Sequence, residues 1–143
     1  MRSCPFVLLL AACSAGPAED PRRAEVVDFC ARFLADYSAR RWDAVANALA
    51  PGAVSAHALV RVSVTPLTEF LEHARTALDK DPEFHEYMSG EPTVLMEGDI
   101  ATVWAPFRVR SRHGKGGGID AFHLARVRGE WKIVALCDVF HPD

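Results

Sequence analysis

The chain has 143 residues and a formal net charge of −3; half of its residues are hydrophobic and 24% are charged. This is ordinary globular composition, and the length suits a single domain with its own core. The arginines are scattered with no basic run, which argues against nucleic acid, and no apolar run approaches the roughly 20 residues needed to span a bilayer.

At the start, Arg2 precedes a short apolar run, Phe6 to Ala12, which ends in Leu10-Ala11-Ala12-Cys13. This order is that of an export signal, and its end resembles the lipobox of bacterial lipoproteins, in which the cysteine is lipidated and becomes the new terminus. Residues 14–21, rich in Ala, Gly and Pro, read as a flexible tether. A disordered tail, or an export signal without lipid, is the plainer alternative. The expected organisation is a signal over 1–12, a tether over 13–21 and one domain over 22–143. Lipidation at Cys13 would make the product a membrane-anchored lipoprotein of the bacterial cell envelope.

Asp20-Pro21 is a helix start, an acidic cap followed by proline at the first helical position. Val26, Phe29, Cys30, Phe33, Leu34 and Tyr37 recur at helical spacing and predict a helix over 22–40. Trp42, Val45, Ala46 and Leu49 predict a second, shorter helix stopped by Pro51-Gly52. Residues 53–64, with Val54, Leu59, Val60, Val62 and Val64, read as an irregular strand. Thr65-Pro66 repeats the cap-then-proline signal, and Leu67, Phe70, Leu71, Ala74 and Leu78 predict a third helix ending near Asp79. Phe84 to Met88 and Thr93 to Glu97 read as strand on either side of a break at Gly90-Glu91-Pro92.

The last third is a meander: three runs rich in Val, Ile, Phe and Trp, separated by glycine turns. The run Gly114 to Gly118 lacks the context of a phosphate loop and reads as a flexible hairpin loop. Gly129-Glu130 fits a two-residue type II′ turn. That register sets Phe122 against Cys137 and Asp120 against Val139. One face then carries Phe122, Leu124, Trp131, Ile133, Ala135 and Cys137, with Asp120 at its far end. The other carries His123, Val134, Leu136 and Asp138. A register one residue different would set Asp120 against Asp138, and like charges directly opposite are unfavourable. The first register is therefore preferred.

Three helices and a long antiparallel sheet make an α+β pattern. The segments Arg41-Trp42-Asp43, Gly98 to Phe107, Gly118-Ile119-Asp120-Ala121-Phe122 and Gly129-Glu130-Trp131-Lys132-Ile133 resemble the nuclear transport factor 2-like superfamily. Within it they are most similar to small bacterial SnoaL-like or lumazine-binding-like members. The resemblance implies a cone-shaped α+β barrel, with a curved antiparallel sheet around three helices and a mouth able to hold a ligand. It also implies an outer sheet face that pairs with a second copy, which gives His123, Val134 and Leu136 a role. Where similar proteins carry a histidine two residues before the Gly-x-Asp, this chain has Gly116, with His113 three residues further back.

Asp120 is the one polar residue on an apolar strand face. Pointing into the cone it is a candidate general base, because desolvation raises a carboxyl's pKa. At the strand's solvent end it would instead bond backbone or arginine. Trp104, Asp120, Phe122, Trp131 and Ile133 are the candidate pocket residues, the aromatic ones being core or cavity wall. The histidines lack metal-ligand spacing, so no metal and no cofactor are expected. Cys30 and Cys137 fall on apolar faces, as buried thiols or as a bridge. Two functions stay open. One is a non-catalytic envelope module that binds a small apolar ligand or a protein. The other is a cofactor-free isomerase, cyclase or dehydratase using Asp120, as the resemblance implies. Two or more polar groups converging on a cavity would favour the enzyme.

Overall fold

The computed structural model describes residues 20–58 and 62–143. The predicted signal, Cys13 and most of the tether lie outside the described residues, as do Leu59 and Val60 of the predicted strand.

Helix α1 spans Pro21–Ser38 and begins as its sequence predicts, with the Arg22 N–H donating to the Asp20 carboxylate at 3.0 Å. Its stripe of Val26, Cys30, Phe33, Leu34 and Tyr37 is buried. Arg40 takes a left-handed φ of 59° and turns the chain into α2, Trp42–Asn47. Pro51-Gly52 does not mark the end of that helix. Strand β1, Leu49–Ala58, runs through both residues. Its pairing with the last strand shifts between Leu49 and Val54, and Gly52 has a φ of 78°. A proline without an N–H and a left-handed glycine suit such an irregularity.

The strand expected over 53–64 is two strands: β1 turns back antiparallel into β2, Val62–Pro66. Helix α3 follows at Leu67–Leu78. Thr65 does not cap it. The Thr65 hydroxyl bonds the Ser55 hydroxyl across the strand pair at 3.1 Å, and Pro66 holds the cap position. Strands β3, His85–Met88, and β4, Thr93–Glu97, both pair with β5, Ile100–Ser111. At the predicted break between them, the Ser89 N–H donates to the Pro106 carbonyl at 2.8 Å. Strands β6, Gly114–Val127, and β7, Glu130–Pro142, complete the chain.

The seven strands form one curved sheet in the order β2-β1-β7-β6-β5-β3, with β4 also on β5; only β1 and β7 run parallel. The α+β class stands, but the sheet is open rather than closed into a barrel, because β2 and β3 do not pair with each other. Helix α1 packs against β3, β4 and β5, and α3 against β1 and β2.

Two sequence expectations about the meander are corrected. The glycine run is strand, not flexible loop; the turn is Arg112-His113, and Gly114 already belongs to β6. A Cβ on Gly116, Gly117 or Gly118 would lie within 2.7 Å of a neighbouring atom, so these glycines let adjacent backbones approach. The β6–β7 turn is Arg128-Gly129, with φ of 53° and 85°, the type I′ geometry, and Arg126 faces Trp131. A bulge then inserts Val134, because Leu124 faces Ile133 and His123 faces Ala135. Since the side-chain period is 2, one extra residue flips everything beyond it. Leu136 and Asp138 therefore turn inward, and Cys137 sits opposite Ala121. Leu136, expected on the outer face with His123, is buried. Asp120 stands opposite Asp138, the pairing that like-charge repulsion disfavours.

Candidate functional site

The bulge and the parallel β1–β7 pairing build a row across three neighbouring strands. His57 on β1 is level with Asp138 on β7, which is level with Asp120 on β6. Next along the sheet, Asp120 faces Ala105 of β5, whose small side chain leaves space. Glu86 reaches the same space from β3. Its backbone is clamped to the end of α1, since the Ser38 hydroxyl accepts from the Glu86 N–H at 2.8 Å and donates to the Glu86 carbonyl at 2.9 Å. The Arg40 guanidinium secures this corner, donating to the carbonyls of Ser38, Leu78 and Asp81.

His57, Glu86, Asp120 and Asp138 line a cavity of about 440 Å³ between α1, α3 and the inner sheet face. Its wall is mostly aromatic and aliphatic, with Phe33, Tyr37, Phe70, Phe84, Phe107 and Phe140 among its residues. Such a volume is within the range of small-molecule sites, about 300–1,000 Å³.

The like-charge objection is met by protons and pairing. Asp138 bonds Nδ1 of His57, whose ring stacks on Phe70 with centroids 4.2 Å apart. Asp120 is 3% exposed, and its Oδ2 finds no donor among the described residues. Burial pushes the Asp120 carboxyl up to about 9, helped by the charges of Glu86 and Asp138. Burial also raises Glu86, to about 7, with the Asp138 charge adding to it. Glu86 and Asp120 become hydrogen-bond partners once one of them holds a proton, so these values belong to the pair rather than to either residue. Near neutrality the two carboxyls share at least one proton. Tyr37 is raised as well, chiefly by burial, so its hydroxyl remains a donor.

Of the residues singled out from sequence, Asp120 lines the cavity. Phe122 and Ile133 are fully buried, and Phe122 meets Phe33 edge-on at 5.9 Å. Trp131 is buried beside a second, open hollow against α1 and α2, with Arg126 stacked 4.7 Å over its ring. Trp104 is neither core nor cavity wall; it is half exposed on the outer face. His123 also faces out, bonding the Thr102 hydroxyl at 3.2 Å. Cys30 and Cys137 are both free thiols. Sequence reasoning missed Glu86, Asp138 and His57. Glu86 was within reach, since Glu86 and Met88 share one side of β3. Asp138 needed the bulge, and His57 needed a parallel partner that no local pattern announces.

Asp120→Asn is expected to stabilise the fold at alkaline pH. The folded carboxyl titrates above its unfolded value of about 4, so the folded state holds an extra proton between about pH 4 and 9. Stability therefore falls as pH rises through that window. Asparagine removes this dependence, and its amide can donate to Glu86. The variant should gain about 1–3 kcal/mol over the parent at pH 8.5, and little at pH 5. Urea midpoints at the two pH values measure this; a loss at pH 8.5 would show that the carboxylate is well solvated.

Comparison with known proteins agrees with this architecture. No curated protein matches the chain in sequence. Among solved structures, a protein from Kribbella flavida superposes with a TM-score of 0.72 at 16% identity, covering 85% of this chain and 93% of that one. An NTF2-like protein of unknown function from Shewanella baltica gives a TM-score of 0.67 at 15% identity, covering 90% of this chain and all of the other. One from Nostoc punctiforme, described as having a cystatin-like fold, gives 0.69 at 14% identity, over 85% of this chain and 92% of that one. At such identities the likeness is one of fold. The family model of the SnoaL-like domain matches residues 19–136, from the cap of α1 to Leu136 inside β7. The chain belongs to the SnoaL-like domain family.

Proposed function

We propose that the chain is a cofactor-free acid–base enzyme that moves a proton on a small, largely apolar substrate bound in the 440 Å³ cavity. The observation that carries this reading is the convergence of the His57 imidazole with the Glu86, Asp120 and Asp138 carboxyls on one largely apolar cavity. Pairs of titratable groups pushed towards different protonation states are how a fold supplies an acid and a base together. His57 is the base: with Nδ1 held by Asp138, its Nε2 has no partner among the described residues and is the free lone pair. Asp120 has the opposite role from that expected of it. Holding a proton at neutral pH, it is the acid or hydrogen-bond donor to a substrate heteroatom. In an isomerisation, His57 takes a proton from carbon next to C=O or C=N, while Asp120 supplies one to the heteroatom. Reversal at a second carbon restores both groups.

Deuterium exchange into cyclohexane-1,2-dione and 1-methyl-3,4-dihydroisoquinoline, followed by NMR, tests this. Protein-dependent exchange is expected, falling by at least about 100-fold in His57→Gln. Equal rates with and without the imidazole would leave only a ligand-binding module.

Two further properties belong to the same proposal. Export with a lipid on Cys13 is supported by the order of apolar run, Leu-Ala-Ala-Cys and tether. Pairing of two copies through the outer sheet face is supported by Val54, Leu95 and Trp104, exposed there at 41%, 66% and 52%. Membrane fractionation of Cys13→Ala against the parent tests the first, and light scattering of residues 20–143 the second. A soluble parent chain, or a monomer at high micromolar concentration, would overturn the respective statement.

A further inference from the structure

Charge balance in the cavity narrows the substrate. Among the described residues no lysine or arginine lines the cavity, whereas Asp81, Glu86, Asp120 and Asp138 all do. Two of these acids are already engaged. Asp81 accepts from the backbone N–H of Arg112, at 3.2 and 3.3 Å, and of Glu83, at 3.2 Å. Asp138 is bonded to His57. Glu86 and Asp120 are left, the latter 3% exposed and with an oxygen that no donor among the described residues reaches. With one shared proton they retain one negative charge, with no lysine or arginine beside it among the described residues. An anionic ligand would meet only repulsion here, and a neutral one would leave that charge uncompensated in an apolar wall.

We propose that the cavity takes an organic cation, a small cyclic or aromatic compound whose protonated or quaternary nitrogen sits against Glu86 and Asp120. This rests on the cavity's being the substrate site and names the class of substrate. The wall suits such a molecule twice over. Phe33, Tyr37, Phe70 and Phe84 bury its apolar body, and aromatic faces attract a cationic nitrogen. At pH 6, without ligand, a second proton neutralises the pair. A cation displaces that second proton, so binding there releases a proton and affinity rises with pH, while the shared proton stays with the pair.

Besides Glu86 on β3 and Asp120 on β6, the acids and histidines that line the cavity among the described residues are Asp138 on β7, His57 on β1, and Asp81 and His113 on the connecting turns. Tyr37 and Cys30 on α1 remain neutral, both pushed up by burial.

The test is calorimetry on the full chain with benzyltrimethylammonium and its neutral isostere neopentylbenzene, at pH 6 and 8.5. The cation is expected to bind about tenfold or more tightly than the isostere at pH 8.5, with the preference shrinking at pH 6. Paired Glu86→Gln and Asp120→Asn substitutions should abolish the preference while keeping the isostere's affinity. Asp120→Asn alone should reduce it, which covers failure of the double variant to fold. Equal binding of both probes at pH 8.5 overturns the cation assignment but leaves the cavity as a ligand site. Binding of neither overturns both. A cation preference without deuterium exchange would sink the acid–base reading alone.

Discussion

Gly118→Ala is expected to unfold the protein or to cost more than about 3 kcal/mol, beyond the usual range for overpacking. A Cβ at this position would lie 1.8 Å from the Val139 carbonyl oxygen and 2.9 Å from its carbon. Both are backbone atoms of the neighbouring strand, so no side-chain rotation relieves the clash. Relief requires moving β7 away from β6, which would break the ladder that holds Asp138 beside Asp120. The control is Gly90→Ala, whose added carbon would sit 3.6 Å from the Pro106 side chain, ordinary contact, with an expected change within about 0.5 kcal/mol. Urea denaturation of the two variants distinguishes close packing from general intolerance of glycine replacement. Equal costs would show that the strands separate easily here.

Phe122→Ala carries the second large expected effect, a loss of about 3–5 kcal/mol. The ring is fully buried, faces Val103 and Leu136 on the flanking strands, and meets Phe33 of α1 edge-on. Removing it takes away one of the contacts between α1 and the sheet and leaves a void two residues from Asp120. The same helix ends at Ser38, which fixes Glu86. A loosened α1 should therefore also disturb the carboxyl pair. The denaturation midpoint measures the first effect. Carboxyl NMR titration reads the second, through a drop of the Asp120 titration towards the ordinary range. A cost below about 1 kcal/mol would mean that the core closes around the gap.

The helices, most of the strands and the α+β class are legible in the sequence. Those features are local: an Asp-Pro cap, apolar residues at spacing three and four, β-branched runs between glycines. It also marked Asp120 as the odd residue on an apolar face. Gly114 to Gly118 defeated local reading, because glycine's tolerance of a turn and its tolerance of a close neighbour look identical in one dimension. The site itself was decided by tertiary structure. His57, Glu86, Asp120 and Asp138 lie on four strands, joined by one parallel pairing and one bulge at Val134. Repulsion between Asp120 and Asp138 argued against their pairing only while both were taken as charged. Burial supplies a proton to the one and His57 engages the other, and neither effect exists until the chain has folded.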